Sequence, residues 1–190
     1  MIISTKSKIL LHICCAPDST ASFERLKSKY QVIGFFHNPN IYPEDEYTKR
    51  LQEAQDVANE MGFELIVPPY LPEEWLQEVK GFEREPEKGK RCEICYRFNL
   101  RSTARKAQEL DIPFFTTTLS ISPHKNSELI FSIGDEAATE FGVEFLHENF
   151  KKKDGFKRSL EIAKELDLYR QHYCGCLYSQ KAKDSENQDA

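Results

Sequence analysis

Six cysteines fall in three close pairs: Cys14 with Cys15, Cys92 with Cys95, and Cys174 with Cys176. Adjacent cysteines such as Cys14 and Cys15 can hardly bridge to each other without strain, because a disulfide needs a particular separation and direction. In a reducing compartment, paired spacing points to metal ligation or redox work rather than structural bridges. Cys92 and Cys95, at i and i+3, share one face at the start of a predicted helix, whose positive end favours thiolates. Gly175, between Cys174 and Cys176, lets the backbone bend tightly around a bound centre. Six thiols exceed the four that a tetrahedral zinc takes, and the four that a four-iron, four-sulfur cluster takes. The two left over suit a second metal, a redox dithiol or an anchor for a substrate-facing iron. Asp18, three residues after Cys15, reads either as an oxygen ligand or proton source, or as a helix N-cap.

The elements that must position these thiols alternate between strand and helix. Residues 8–14, "KILLHIC", form a short apolar run suited to a buried parallel strand. A helix capped by Asp18 or Ser19 runs to about residue 28, and "YQVIGFFH" is a second strand. After the turn-rich "NPNIYPEDE", Tyr47, Leu51, Ala54, Ala58 and Met61 recur at helical spacing up to a stop at Gly62. "FELIVP" is a third strand. Residues 71–91 read as a short helix and a charged connection, and 92–110 as a helix. "IPFFTTT" is a fourth strand, followed by a helix marked by Leu129, Ile130, Ile133, Ala137 and Phe141 that stops at Gly142. "VEFLH" is a fifth strand, and the last helix spans 159 to about 169. The expectation is one α/β domain over 1–179, a three-layer sandwich around a mostly parallel Rossmann-like sheet, with a polar, frayed tail over 180–190. Sheets of this kind bind ligands at the carboxyl ends of their strands. Cys14 and Cys15, "HNPNIY" and "TTTLSISPHKN" all follow strands, so they belong on that rim.

Bulk properties narrow the class. The net charge of −5 gives no global footprint for nucleic acid. No apolar run approaches ~20 residues, and the N-terminus lacks a signal-peptide pattern, so the expectation is a cytoplasmic protein with no membrane partner. The run "KKKDGFKR" at 151–158 is the local exception: either a solvated loop or a phosphate-contacting patch.

"CCAPD", "FFHNPNI", the Glu46–Tyr47 pair, "CEICYRFNL", "FTTTLSISPHKN" and "KKKDGFKRSLEIAKELDLYRQHYCGCLYS" together resemble the cobalamin-independent epoxyqueuosine reductases of the QueH type, from about residue 8 to 179. The resemblance implies reduction of the epoxide of epoxyqueuosine, at the wobble base of certain tRNAs, to the cyclopentene. Two electrons and two protons are consumed and the oxygen leaves as water. It also implies a 4Fe-4S cluster and an additional iron, with Cys14, Cys15, Cys92, Cys95, Cys174 and Cys176 as metal ligands and Asp18 on the second iron. Which four thiols hold the cluster is left open. Asp18, His37, Tyr42 and Tyr96 are the candidates for proton delivery, in that order. Tyr42, Phe36 and Tyr47 are candidates to stack on an unstacked base. Lys125, Lys151, Lys152, Lys153, Lys157, Arg158 and Arg91 are candidates for tRNA phosphates, and a ferredoxin- or flavodoxin-like protein is the expected electron donor. The first loop is also similar to that of the pyrophosphate-loop ATPases, but "CCAPDS" stands where those carry "SGGxDS", and the lost glycines argue against ATP. Two rivals come from other classes: a zinc-stapled tRNA-binding or thiolation accessory protein, and a dithiol–disulfide reductase using Cys174 and Cys176.

Overall fold

A computed structural model describes residues 6–188; residues 1–5 and the last two residues of the expected tail lie outside it. Strand β1 (Lys8–His12) is central because it is apolar on both faces: Ile9, Leu10 and Leu11 are all fully buried. It pairs in parallel with β2 (Gln31–Phe35) on one side and β4 (Phe114–Thr117) on the other. Strands β3 (Glu64–Ile66) and β5 (Glu144–Phe145) complete a wholly parallel sheet of order β3-β2-β1-β4-β5. The chain winds outward from β1 to β3, then crosses back to start again beside β1. That reversal opens a crevice at the carboxyl end of β1.

The helices, in chain order, are α1 (Ala16–Leu26), α2 (Glu44–Met61), α3 (Pro72–Glu78), α4 (Lys90–Glu109), α5 (Ser127–Phe141), α6 (Gly155–Glu165) and α7 (Leu177–Gln188). The period-two pattern of the strands divides them between the faces. Ile9, Leu11 and Ile13 pack with Phe23 and Leu26 of α1, Tyr47 and Ala54 of α2, and Phe156 of α6. Leu10, Ile33, Phe35 and Phe115 pack with Leu100 and Ala104 of α4 and with Ile130 and Ile133 of α5. Each fully buried aliphatic side chain contributes roughly 1.5–3 kcal/mol. A third, smaller cluster joins Trp75 and Val79 to Cys176 and lies against Cys95 and Tyr178. It anchors α3 and the start of α7 on the amino-terminal half of α4.

Three boundaries differ from the sequence reading. Helix α1 begins at Ala16 with Cys15 in the N-cap position, so Asp18 sits in the first helical turn and caps nothing. Pro17 explains this, since proline fits the first turn, where no amide hydrogen is needed. Helix α6 begins at Gly155, after Lys153 and Asp154 turn the chain through left-handed backbone, and Ser159 lies inside it, donating to the Phe156 carbonyl at 2.7 Å. The supposed tail is helical through Gln188: its lysines, alanine, glutamate and glutamine are good helix formers.

Candidate metal centre

The turn from β1 into α1 places one donor group. The Cys14 amide donates to Thr118 Oγ1 at 3.1 Å, and that hydroxyl donates to the Cys14 sulfur at 3.3 Å, tying the first loop to the residue after β4. The Cys14 thiol donates to Asp18 Oδ2 at 3.3 Å. Both sulfurs, of Cys14 and Cys15, and an Asp18 carboxylate oxygen lie within 4.8 Å of one another. Burial raises the Asp18 pKa, and the Lys125 ammonium opposes the shift. The Cys15 thiol is pushed well up by its hydrogen bond with Cys14, then by burial and the Asp18 charge.

A second group forms where the start of α4 meets the loop before α7. Cys92 lies in the first turn of α4 and Cys95 one turn later. Burial, the largest cause, raises the pKa of Cys92, Cys95 and Cys174; Cys176 then raises all three, and Cys92 raises both Cys95 and Cys174. The expected help from the helix end does not win at Cys92, because burial there opposes ionisation more strongly. These sulfurs are met by N–H donors: Lys88 N to Cys92 at 3.3 Å, Ser179 N to Cys176 at 3.4 Å, and Asn99 Nδ2 to Cys95 at 3.6 Å.

Lys125 joins the two groups. Burial works against its charge, but Cys174, Cys14, Asp18 and Tyr96 surround it and raise its pKa. Its ammonium is thus close enough to these groups to feel their charge. Tyr96 is buried on the same side. Burial and then Cys174, Cys92 and Cys95 raise its pKa against the pull of Lys125, so the phenol keeps its proton. Cys14 and Cys174 thus both act on Lys125, and Cys92, Cys95 and Cys174 act on Tyr96, so the charges of all three cysteine doublets are felt in one region.

Tyr42 is 45% exposed, and its backbone is pinned to the cysteine loop: its amide donates to Gly175 O at 2.7 Å, and Tyr173 Oη donates to its carbonyl at 2.6 Å. His37 is half-buried and stacks on Phe35, with ring centres 5.6 Å apart; Nδ1 lies 3.3 Å from Asn99 Oδ1. Burial brings its pKa down to about 4, so it is neutral near pH 7. Its contacts are those of a packed rim histidine. Phe36 and Tyr47 are core residues, Tyr47 stacking on Tyr70 at 4.0 Å, and neither can receive a base.

Two phosphate candidates are spoken for. Arg91 is buried; it donates to the carbonyls of Phe82, Glu83 and Glu85 and lies over the Tyr178 ring at 4.7 Å. Arg158 forms a two-pronged pair with Glu24 at 3.0 Å and lies near Glu161 and Glu165. Lys151 donates to the carbonyls of Ser122 and Lys125, bracing the loop that carries Lys125. Lys152, Lys153 and Lys157 are exposed.

Several residues escaped the sequence reading. His12 is fully buried at the end of β1, with its pKa lowered to about 3, first by burial. Nε2–H donates to the His37 carbonyl at 3.2 Å, which leaves Nδ1 to accept from the Thr117 hydroxyl at 2.9 Å. One neutral ring thereby fixes three strand ends. A polar residue inside "KILLHIC" was the available signal. Arg50 holds the loop of Cys174, and Asn99, four residues after Cys95, shares its helical face.

The family description "Epoxyqueuosine reductase QueH" matches residues 9–182. The chain belongs to the QueH family. Relatives named epoxyqueuosine reductase QueH include one from Streptococcus pyogenes serotype M1, 40% identical over 94% of this chain and 72% of that protein. Another, from Thermotoga maritima, is 39% identical over 90% of this chain and 89% of its own. Two solved structures share the fold at lower identity. One is a predicted subunit of a tRNA methyltransferase from Methanocaldococcus jannaschii (TM-score 0.57, 14% identity, 84% of this chain and 74% of that one). The other is the U34-tRNA thiolase NcsA from Methanococcus maripaludis with its 4Fe-4S cluster (TM-score 0.52, 15% identity, 94% of this chain and 63% of that one). As a QueH member the chain is an oxidoreductase with a tRNA substrate. No helix among the described residues is long and apolar enough to cross a membrane.

The cysteine-rich site is compatible with a 4Fe-4S cluster like the one the neighbour NcsA holds. The thiols of Cys92, Cys95 and Cys174 are raised by burial and by the charges of neighbouring thiols, and a cationic centre there would remove the conflict. The Trp75 indole N–H is buried without a hydrogen-bond partner, a state that costs about 1–3 kcal/mol. A Cys95 thiolate would accept from it. Two sulfurs and a carboxylate, the Cys14–Cys15–Asp18 set, lie close enough together to hold one metal ion.

Proposed function

We propose that the chain reduces the epoxide of epoxyqueuosine in tRNA to the alkene, with Cys92, Cys95, Cys174 and Cys176 holding a 4Fe-4S cluster and Cys14, Cys15 and Asp18 holding an additional iron. The reading is supported by the convergence of the Cys14, Cys15 and Asp18 donor atoms within 4.8 Å, and by Cys92, Cys174 and Cys176 lying near enough to Cys95, and Cys14 and Cys174 near enough to Lys125, to act on them through their charges. When bound, the metals would supply the two electrons and a Lewis-acid contact for the epoxide oxygen. The chain's own residues do the rest. Lys125 holds positive charge where the oxygen becomes anionic as its C–O bond breaks, so it stabilises that charge. Tyr96 keeps its O–H and faces the same thiols, ready to donate a hydrogen bond. Tyr42, exposed beside Gly175, offers a face on which an unstacked base can lie. Electrons arrive from a ferredoxin- or flavodoxin-like donor in the cytoplasm.

A zinc staple would employ four thiols and leave Cys14, Cys15 and Asp18 without a task. Anaerobic reconstitution separates the readings. Protein that is brown, carries iron and acid-labile sulfide, and converts epoxyqueuosine to queuosine in tRNA, followed by nucleoside mass spectrometry, supports the proposal. Colourless, zinc-loaded protein without turnover overturns it.

The tRNA surface is proposed to include Lys152, Lys153 and Lys157, exposed on and beside the turn that Lys151 fastens to the Lys125 loop. Replacing all three with alanine is expected to lower the slope of log K against log salt by up to about 0.9 for each phosphate that is no longer neutralised. Arg158→Ala alone, already paired with Glu24, should change that slope little. Filter binding across a salt series checks both, and an unaltered slope in the triple variant removes the patch.

A further inference from the structure

We propose that Trp75, together with Asn99, sets the reduction potential of the cluster held by Cys92, Cys95, Cys174 and Cys176 by donating N–H hydrogen bonds to the Cys95 sulfur. The inference rests on the proposed function and goes beyond it by giving two residues outside the ligand set a redox role.

Trp75 lies in the short helix α3 and is 2% exposed. It packs with Val79 and Cys176 and against Cys95, Ile94 and Phe98, and its ring centre lies 6.1 Å from that of Tyr178. The packing explains the ring, which a phenylalanine would also satisfy. It does not explain the nitrogen. Nε1 is buried with no hydrogen-bond partner, in a protein where few side-chain nitrogens are left so. Cys95 packs against the Trp75 cluster, and its sulfur is the acceptor this inference gives to the nitrogen. A thiol is a weak acceptor and a thiolate a strong one, so the indole gains its partner when Cys95 is ionised.

Asn99 approaches the same atom from one turn further along α4. Its Nδ2 lies 3.6 Å from the Cys95 sulfur and 3.0 Å from the Cys95 carbonyl. Its Oδ1, 3.3 Å from His37 Nδ1, fixes which way the amide faces. Cys92 and Cys176 receive main-chain donors, from Lys88 and Ser179, which follow from the path of the backbone. Of these three sulfurs, that of Cys95 is the one met by a side-chain N–H donor, from Asn99, which is a choice of residue type.

The redox consequence follows from charge. Reduction adds one electron to the cluster, supplied in a titration by dithionite, and no bond forms or breaks. The reduced state carries more negative charge on its sulfurs, so an N–H···S bond stabilises it more than the oxidised state. Removing the donor therefore moves the potential in the negative direction.

The test is an electrochemical titration of anaerobically reconstituted full-length protein, wild type against Trp75→Phe, with iron and sulfide measured on each sample. The expected result is a more negative midpoint in W75F at unchanged iron and sulfide. An unchanged or more positive midpoint at full cluster content overturns the inference and leaves the proposed function standing. Wild-type protein that takes up no cluster overturns both. A second measurement needs no substitution. Trp75 is the only tryptophan in the chain, so ¹⁵N-indole labelling marks one position. Pulsed electron paramagnetic resonance of the reduced wild type should then show a ¹⁵N coupling, and its absence overturns the inference even if W75F does not fold.

Discussion

Serine in place of any one of Cys92, Cys95, Cys174 or Cys176 is expected to strip anaerobically purified protein of its brown colour and acid-labile sulfide. Turnover should fall by more than about 100-fold, the upper end of what losing even an outer partner of a metal ligand costs. Serine at Cys14 or Cys15, or Asp18→Asn, should behave differently. Sulfide stays, only part of the iron is lost, and turnover falls as far. The division follows from which thiols act on which. Cys95 responds to Cys174, Cys176 and Cys92, while Cys15 responds to Cys14 and Asp18. It also follows from reach, because the Cys14, Cys15 and Asp18 donor atoms converge within 4.8 Å without help from α4. Iron and sulfide analysis with electron paramagnetic resonance reads the outcome directly. Loss of sulfide in Cys14→Ser would move Cys14 into the cluster set and dissolve the partition.

The same partition marks what the sequence could and could not reveal. Thiol doublets are legible because few roles other than metal or redox chemistry call for them in such numbers. The sheet was legible because "KILLHIC" and "IPFFTTT" are apolar enough to be buried on both faces, and β1 and β4 are indeed neighbours. The grouping proposed for the thiols was not legible. It depends on α3 and α7 clamping Trp75 and Cys176 against α4, a contact between segments about a hundred residues apart in which no local pattern takes part. Cations were the least legible residues of all. Lys125, Arg91 and Arg158 look alike in a list of basic residues, yet one faces thiols, one is buried under carbonyls and one is paired with Glu24. A long cationic side chain takes its meaning from the partner that tertiary structure supplies. Asp18 was half legible: its place after the doublet puts its carboxylate beside both sulfurs, while its capping role failed because Pro17 had already started the helix.

Arg50→Ala is the substitution outside the ligand set with the largest expected effect, about 3–5 kcal/mol of stability, as for breaking one side of a buried ion pair. The Arg50 side chain is 3% exposed and that of its partner Glu46 12%, so water screens little of the pair at 2.7 Å. The guanidinium also donates to Cys174 O at 3.1 Å and Tyr173 O at 3.3 Å. It thereby rivets α2 to the loop that carries two thiols. Gly175 makes the approach possible: its φ is +126°, and a Cβ there would come within 2.9 Å of Arg50 Nη1. Alanine at position 50 leaves a carboxylate and two carbonyls without their donor, although Tyr169 Oη still reaches Glu46. The loop of Cys174 and Cys176 then loses its fixed position, so cluster retention should fall along with stability. Arg50→Lys keeps the charge but cannot span three acceptors with one planar fork, and should fall between the two. Anaerobic urea denaturation of metal-free protein separates the stability effect from loss of the cluster. A metal-free Arg50→Ala protein with the wild-type midpoint, retaining full sulfide after reconstitution, would mean that the cysteine loop holds itself in place without α2.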